Sequence, residues 1–115
     1  MTEARLKARL WVQALIRRCM TEDIFAAVVR TGDHDAGAVL VKLNRLDAGG
    51  CTVFTQIRDR DGQAAWLRGT GPEPVSEASA DDYVARQLRY DEDLWVVEIE
   101  DRAGRHPMVE PVIAG

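Results

Sequence analysis

Residues 38–58, AVLVKLNRLDAGGCTVFTQIR, decide the fold of this chain. Within them, residues 38–45 and 51–58 each alternate their side chains between two faces, which is the period of a β-strand. The Asp-Ala-Gly-Gly sequence at 47–50 is typical of a turn. Because a connection this short excludes the crossover that parallel strands require, the two strands are predicted to be antiparallel neighbours.

The same argument extends the sheet in both directions. Residues 24–30 are rich in β-formers and end at a loop of turn-forming residues, and residues 63–68 follow a second turn that contains Asp and Gly. Further along the chain, LWVVEIE at 94–100 places apolar and acidic side chains on alternate sides. This segment is predicted to form the last, half-buried strand.

Two other segments have the periodicity of helices. Apolar side chains recur at steps of three and four from Ala8 to Cys19, which predicts a helix with one buried face. A second helix is predicted after a break rich in Gly and Pro, with Ser76 or Ser79 as its N-cap. Acidic side chains early in this helix, such as Asp81, favour the helix dipole.

Together these patterns predict an α+β domain, an antiparallel sheet of about five strands with two helices packed on one face, in the order α-β-β-β-β-α-β. We expect a single domain over residues 3–106 and a C-terminal tail over 107–115, whose two prolines favour an edge segment or a loose end. The apolar side chains of the tail predict that it adds to a partner's sheet edge or to a second copy of the chain. These side chains are Met108, Val109, Val112 and Ile113.

The composition restricts the class of protein. The chain has 115 residues, 46% of them hydrophobic and 30% charged, which suits one globular domain with one core. No apolar run approaches the ~20 residues that span a bilayer, and the first residues lack the apolar core of a secretory signal. Two cysteines do not make a disulfide framework. We therefore predict a cytoplasmic protein with no membrane partner.

Charge is distributed unevenly along the chain. The formal net charge is -4, but residues 1–30 carry a net charge of +3 and residues 70–101 carry -8. A protein that binds nucleic acid through its phosphates needs a broad basic face, and this balance does not provide one. We therefore predict no nucleic-acid partner.

Arginine and histidine side chains are the candidates for a ligand site. Two helices on one sheet face would bring guanidinium pairs together around a phosphate or a carboxylate, and a histidine would add a proton-transfer group. The alternative is a solvated surface on which the arginines pair with nearby acids at helical spacing. The candidate residues are Arg17, Arg18, His34, Arg86, Arg89 and His106.

Metal and cofactor chemistry is not expected. The Asp33-His34-Asp35 sequence has suitable ligand types, but adjacent residues of an extended loop point in different directions, and Asp is common in such turns. Cys19 lies on the predicted core face, where a free thiol is inert. We predict no bound metal and no cofactor.

Three separated blocks of the sequence resemble one family. LWVQALIRRC, GDHDAGAVLVKLNR and DLWVVEIEDRAGRH occur in the order found in small bacterial proteins catalogued as domain of unknown function 1491. The similarity runs from about Arg5 to His106. It implies a small bacterial cytoplasmic protein, and it implies no catalytic residue, substrate or cofactor.

The predicted function is a non-catalytic binding or assembly module that acts through protein contacts, with a protein partner or by self-association as a homodimer. The apolar tail and the uneven charge favour this interpretation. The alternative is a small-molecule or phosphate-binding enzyme that uses Arg17, Arg18 and either His34 or His106.

Overall fold

A computed structural model describes residues 7–113. Two helices and six strands account for most of this range, and the bounds of the five longer strands lie within one residue of those predicted from the sequence. The sixth, a strand of two residues, lies in the tail, for which an edge segment or a loose end was predicted. Ser76 caps the second helix as predicted, since its hydroxyl accepts a hydrogen bond from the backbone N–H of Ser79. In chain order the elements are α1 (Ala8–Thr21), β1 (Phe25–Arg30), β2 (Val39–Asn44), a 3₁₀ turn (Leu46–Ala48), β3 (Cys51–Arg58), β4 (Ala64–Arg68), α2 (Glu77–Tyr90), β5 (Trp95–Glu100) and β6 (Val112–Ile113).

The sheet is mixed, so the prediction of a purely antiparallel sheet of five strands was wrong. Its strand order is β1-β5-β2-β3-β4-β6. Strands joined by short turns, β2-β3 and β3-β4, are antiparallel as predicted. The last long strand, β5, inserts between β1 and β2, where it pairs antiparallel with β1 and parallel with β2. Strand β6 adds a second parallel pair, on β4.

The loop between β1 and β2 makes room for β5. Its backbone crosses the start of β5, where the Asp33 N–H donates to the Asp93 carbonyl at 3.0 Å. A Cβ at Gly32 or Gly37 would overlap the carbonyl oxygen of Asp93, so both positions of close approach require glycine. Residues 95–97 of β5 are buried in succession, as expected for an interior strand that is covered on both faces.

The two helices lie on opposite faces of the sheet, not on one face as predicted. Helix α1 packs on the side of Val39, Val41 and Leu43. Helix α2 packs on the other side, against Leu40 and Val53. All six residues of β2 are buried, so this strand needs cover on both faces, and one layer of helices cannot supply it.

The C-terminal segment packs on its own domain. Met108 is buried in the α1 side of the core, and Val112 packs against the same cluster. Trp66 N–H donates to the Pro111 carbonyl at 2.9 Å, which begins the pairing of β6 with β4. The apolar tail therefore covers the β4 edge of its own sheet, while Val109 stays exposed. The domain bounds at 3 and 106 remain a prediction, and residues 3–6, 114 and 115 lie outside the described range.

Candidate functional site

The predicted arginine pairs do not converge. Arg17 and Arg18 belong to α1, whereas Arg86 and Arg89 belong to α2 on the opposite face of the sheet. Because the sheet separates the two helices, a site that uses both pairs is excluded by this arrangement. Arg17, Arg86 and Arg89 are exposed, and only Arg18 is half-buried.

Arg18 instead contacts the residue that follows His106, another predicted site residue. The Nε of Arg18 donates to the carbonyl oxygen of Pro107 at 3.2 Å, next to the histidine in the chain. The imidazole of His106 stacks on Phe54, with ring centroids 5.3 Å apart. Phe54 is the direct cross-strand partner of Arg68, so the two side chains leave the sheet on the same face. We call Arg18, Arg68 and His106 the basic cluster.

The positive charges of the basic cluster are not paired with negative ones within residues 7–113. Arg18 and Arg68 form no ion pair with any acid in the described part of the chain. Burial, and then the positive charge of Arg68, lower the pKa of His106. Its Nδ1 is buried, and no hydrogen-bond partner for it occurs among residues 7–113. Sequence reasoning missed Arg68, because only the β3-β4 register places it beside Phe54 and His106.

A turn after β5 holds His106 in place. The carboxylate of Asp101 accepts hydrogen bonds from the Arg105 backbone N–H at 2.8 Å, from its Nε at 3.1 Å and from its Nη2 at 2.8 Å. These hydrogen bonds, led by those from the Arg105 side chain, lower the pKa of Asp101. Asp101 thus fixes the backbone immediately before His106.

Asp101→Asn is expected to lower the free energy of unfolding at pH 7 by about 1–2 kcal/mol, since a charged acceptor of three hydrogen bonds is lost. The folded-state pKa of Asp101 lies below its unfolded value near 4, so its stabilising effect is present above that pH and disappears as the pH falls through the folded-state pKa. Urea unfolding at pH 7 and at pH 2 measures both effects. The difference in the free energy of unfolding between the variant and the wild type should be smaller at pH 2 than at pH 7.

The matched control is Asp82→Asn, because Asp82 is exposed and its carboxylate makes no hydrogen bond or ion pair with the described residues. This change should alter stability by less than about 0.5 kcal/mol at either pH. An Asp101→Asn protein as stable as wild type at pH 7 would contradict the structural role of the carboxylate.

His34 lies elsewhere, at the N-terminal end of α1. Its carbonyl accepts from the Arg9 N–H at 3.0 Å, and its ring packs 5.8 Å from that of Trp95. In the same loop, the Asp33 carboxylate accepts from the Asp35 and Ala36 N–H groups at 3.1 and 2.8 Å, which is turn chemistry. No group of three His, Cys, Asp or Glu side chains in residues 7–113 is placed to hold a metal ion.

A buried lysine on the α2 face is a further charged centre. Lys42 is only 7% exposed, and its Nζ lies 2.8 Å from Glu77 Oε2, 2.8 Å from Asp81 Oδ1 and 3.8 Å from Glu98 Oε2. Asn44 Nδ2 donates to the same oxygens of Glu77 and Glu98. Burial acts to lower the pKa of Lys42, but the hydrogen bonds to Asp81 and Glu77 outweigh it and raise the pKa overall. These five side chains attach α2 to the sheet.

The two thiols are not placed for catalysis. Cys19 and Cys51 are free and buried, and burial raises the pKa of each thiol. A thiol with a raised pKa is a poor nucleophile. A pocket of about 200 Å³ lies on the α2 face, and Thr70, Ser79, Tyr83 and Arg86 are among the residues that line it. The Tyr83 hydroxyl is already bonded to Thr55 Oγ1 at 2.7 Å.

Strand β1 forms the second edge of the sheet. Its partner on one side is β5, and its other side carries no strand in the described structure. Phe25, Val28 and Val29 on this strand are 60%, 41% and 61% exposed. The β4 edge, in contrast, is covered by β6. We call residues 25–30 the open edge.

The fold defines a small α+β domain, with a mixed sheet between two helices. Neither helix in that range is long and apolar enough to cross a membrane. The chain belongs to the family described as "Protein of unknown function (DUF1491)", whose model matches residues 6–109. This confirms the family resemblance predicted from the three sequence blocks.

Three solved structures of similar proteins, from two bacteria, illustrate the relationship. The crystal structure of a DUF1491 family protein from Caulobacter crescentus is 44% identical over 95% of this chain and 100% of that one, with a TM-score of 0.84. An NMR structure of a DUF1491 family protein from the same organism is 42% identical over 97% and 100%, with a TM-score of 0.83. A solution structure from A. tumefaciens is 28% identical over 93% and 97%, with a TM-score of 0.71. No curated protein is detectably similar to the chain.

Proposed function

We propose that the protein is a non-catalytic bacterial cytoplasmic module that assembles with a second copy of itself through the open edge. The observation that carries this proposal is the exposure of three large apolar side chains on a strand whose outer side has no partner in residues 7–113. An unpaired apolar edge strand is a template for adding another strand.

The open edge presents exposed apolar side chains on both faces of the sheet. Phe25 pairs with Glu100 and Val28 pairs with Val97, so the two side chains point to opposite faces of the sheet. Helix α2 packs over β2 and β3, and Phe25 at the β1 end of the sheet remains 60% exposed. A β-bulge at Val29 interrupts the regular pairing with β5. Regular strand addition is therefore limited to the stretch before the bulge.

The sequence of β1 is complementary to itself. A two-fold axis through Ala27, perpendicular to the sheet, pairs Ala27 with its own copy and Ala26 with Val28 in an antiparallel ladder. This axis also brings Asp23 near Arg30 of the second copy at each end of the interface. Arg30 donates one N–H to the Glu92 carbonyl at 2.9 Å and is otherwise exposed, so further N–H groups are available. The short ladder predicts weak association, with a dissociation constant on the order of 10 μM.

Val29→Lys is expected to abolish dimer formation, because the two-fold axis through Ala27 places Val29 of one copy beside Phe25 of the other, and a lysine would put a charge into this apolar contact at each end of the ladder. Sedimentation velocity from about 5 μM to 500 μM should show a concentration-dependent dimer for the wild type and a monomer for this variant. Amide chemical shifts of residues 25–30 should change with concentration in the wild type only.

Val109→Lys is the matched control. Val109 is 76% exposed, and its neighbour Glu110 bonds to Trp66 on β4, far across the sheet from β1. This variant should dimerise like the wild type. A wild-type protein that stays monomeric throughout the range, or a dimer that survives Val29→Lys, would refute assembly through the open edge.

A further inference from the structure

We propose that the basic cluster, Arg18, Arg68 and His106, is a binding site for the phosphate group of a small molecule. The cluster lies on the α1 face near β4, four strands from the open edge. The proposal is therefore independent of assembly through β1.

The three side chains come from three different elements. Arg18 approaches from α1, Arg68 from β4 and His106 from the segment after β5. The bond from Arg18 to the Pro107 carbonyl and the stacking of His106 on Phe54, the cross-strand partner of Arg68, link all three side chains to residues 106 and 107. The oxygens of a tetrahedral anion point in several directions, so such an anion accepts hydrogen bonds from different elements more readily than a planar carboxylate does.

The two arginines of the basic cluster are not neutralised by an ion pair within residues 7–113. Arg18 and Arg68 are half-buried, so their charges are screened less than those of fully exposed arginines. Neither guanidinium pairs with an acid of residues 7–113. Glu110 is the carboxylate on the tail beside β4, but its Oε1 accepts a hydrogen bond from Trp66 Nε1 at 3.1 Å and it forms no ion pair with either arginine. A bound anion would supply the missing negative charge.

Arginine is well suited to this ligand. Its planar guanidinium donates two parallel hydrogen bonds to phosphate oxygens, and Arg18 uses only its Nε in the contact with Pro107. The terminal nitrogens of Arg18 and the whole Arg68 guanidinium make no hydrogen bond to other described residues. The imidazole of His106 forms the third side of the site.

The test is an NMR titration of the wild-type protein with inorganic phosphate at pH 7 and constant ionic strength. The two imidazoles serve as probe and internal control, because His106 is in the cluster and His34 stacks on Trp95 at the other end of α1. The His106 signals should shift and saturate with a dissociation constant on the order of 1 mM, while the His34 signals stay in place. Acetate at the same concentrations should produce no saturable shift.

Variants separate the site from general surface charge. Arg68→Gln should weaken phosphate binding by about tenfold or more, and Arg18→Gln, in a different element, should do the same. The matched control is Arg86→Gln, on the opposite face, which should leave the affinity within about twofold of wild type. Far-UV circular dichroism checks that each variant is folded.

Several results would overturn the assignment. These are the absence of a saturable His106 shift up to about 50 mM phosphate, equal shifts of both histidines, or an unchanged affinity in folded Arg68→Gln and Arg18→Gln proteins. Acetate that binds as tightly as phosphate would overturn the choice of a tetrahedral anion. Methyl phosphate that binds no more tightly than acetate would overturn the assignment to a phosphorylated small molecule.

Discussion

Lys42→Met is expected to lower the free energy of unfolding by about 2–3 kcal/mol. Methionine keeps most of the buried aliphatic stem, so the loss arises mainly from the charge. Without the ammonium group, Glu77, Asp81 and Glu98 face one another at the α2-sheet contact with no cation between them. Glu77 and Asp81 are more than half exposed and regain water, which keeps the loss below that of a fully buried pair.

Urea unfolding at neutral pH measures this loss, with Lys7→Met as the matched control. Lys7 forms a 3.6 Å ion pair with Asp35 in which both side chains are largely exposed, so its replacement should cost less than about 0.5 kcal/mol. The raised pKa of Lys42 means that its contribution is complete below about pH 10 and is lost only as the pH rises further. A Lys42→Met protein as stable as wild type would show that this cluster does not hold α2 on the sheet.

Trp66→Ala is expected to have the larger effect, a loss of about 3–5 kcal/mol, because it leaves a large cavity in the core. Trp66 is fully buried, and its ring packs 5.4 Å from that of Trp11 on α1. Its Nε1 also donates to Glu110 at 3.1 Å. The substitution should therefore loosen the tail, so that amide hydrogens of residues 107–113 exchange faster than in the wild type.

The control for Trp66→Ala is Tyr90→Ala, another aromatic truncation, at a side chain that is 86% exposed near the end of α2. It should change stability by less than about 0.5 kcal/mol and leave exchange in the tail unaltered. A loss below about 1.5 kcal/mol for Trp66→Ala would contradict its central place in the core.

The candidate sites were only partly predictable. Arg18 and His106 could be named from residue type alone, but their proximity depends on a contact between residues 89 positions apart. Arg68 carries no signal in the sequence that distinguishes it from other strand arginines. No local pattern marks Lys42 as a buried residue, and its burial depends on α2, which places two acids over it. The spacing of Glu77 and Asp81, one helical turn apart, was the available signal.

The sequence by itself determined the local features of this protein, which are the helices, the strands and the turns between neighbouring strands. Side-chain periodicity, turn residues and the Ser76 cap depend on neighbours a few residues apart, so the bounds of α2 and β3 and the antiparallel β2-β3-β4 meander followed from them. Only the tertiary structure decided that β5 separates β1 from β2 and that the helices cover opposite faces. Those choices depend on burying both faces of the central strands at once, and this free energy belongs to contacts between distant segments that no local pattern contains.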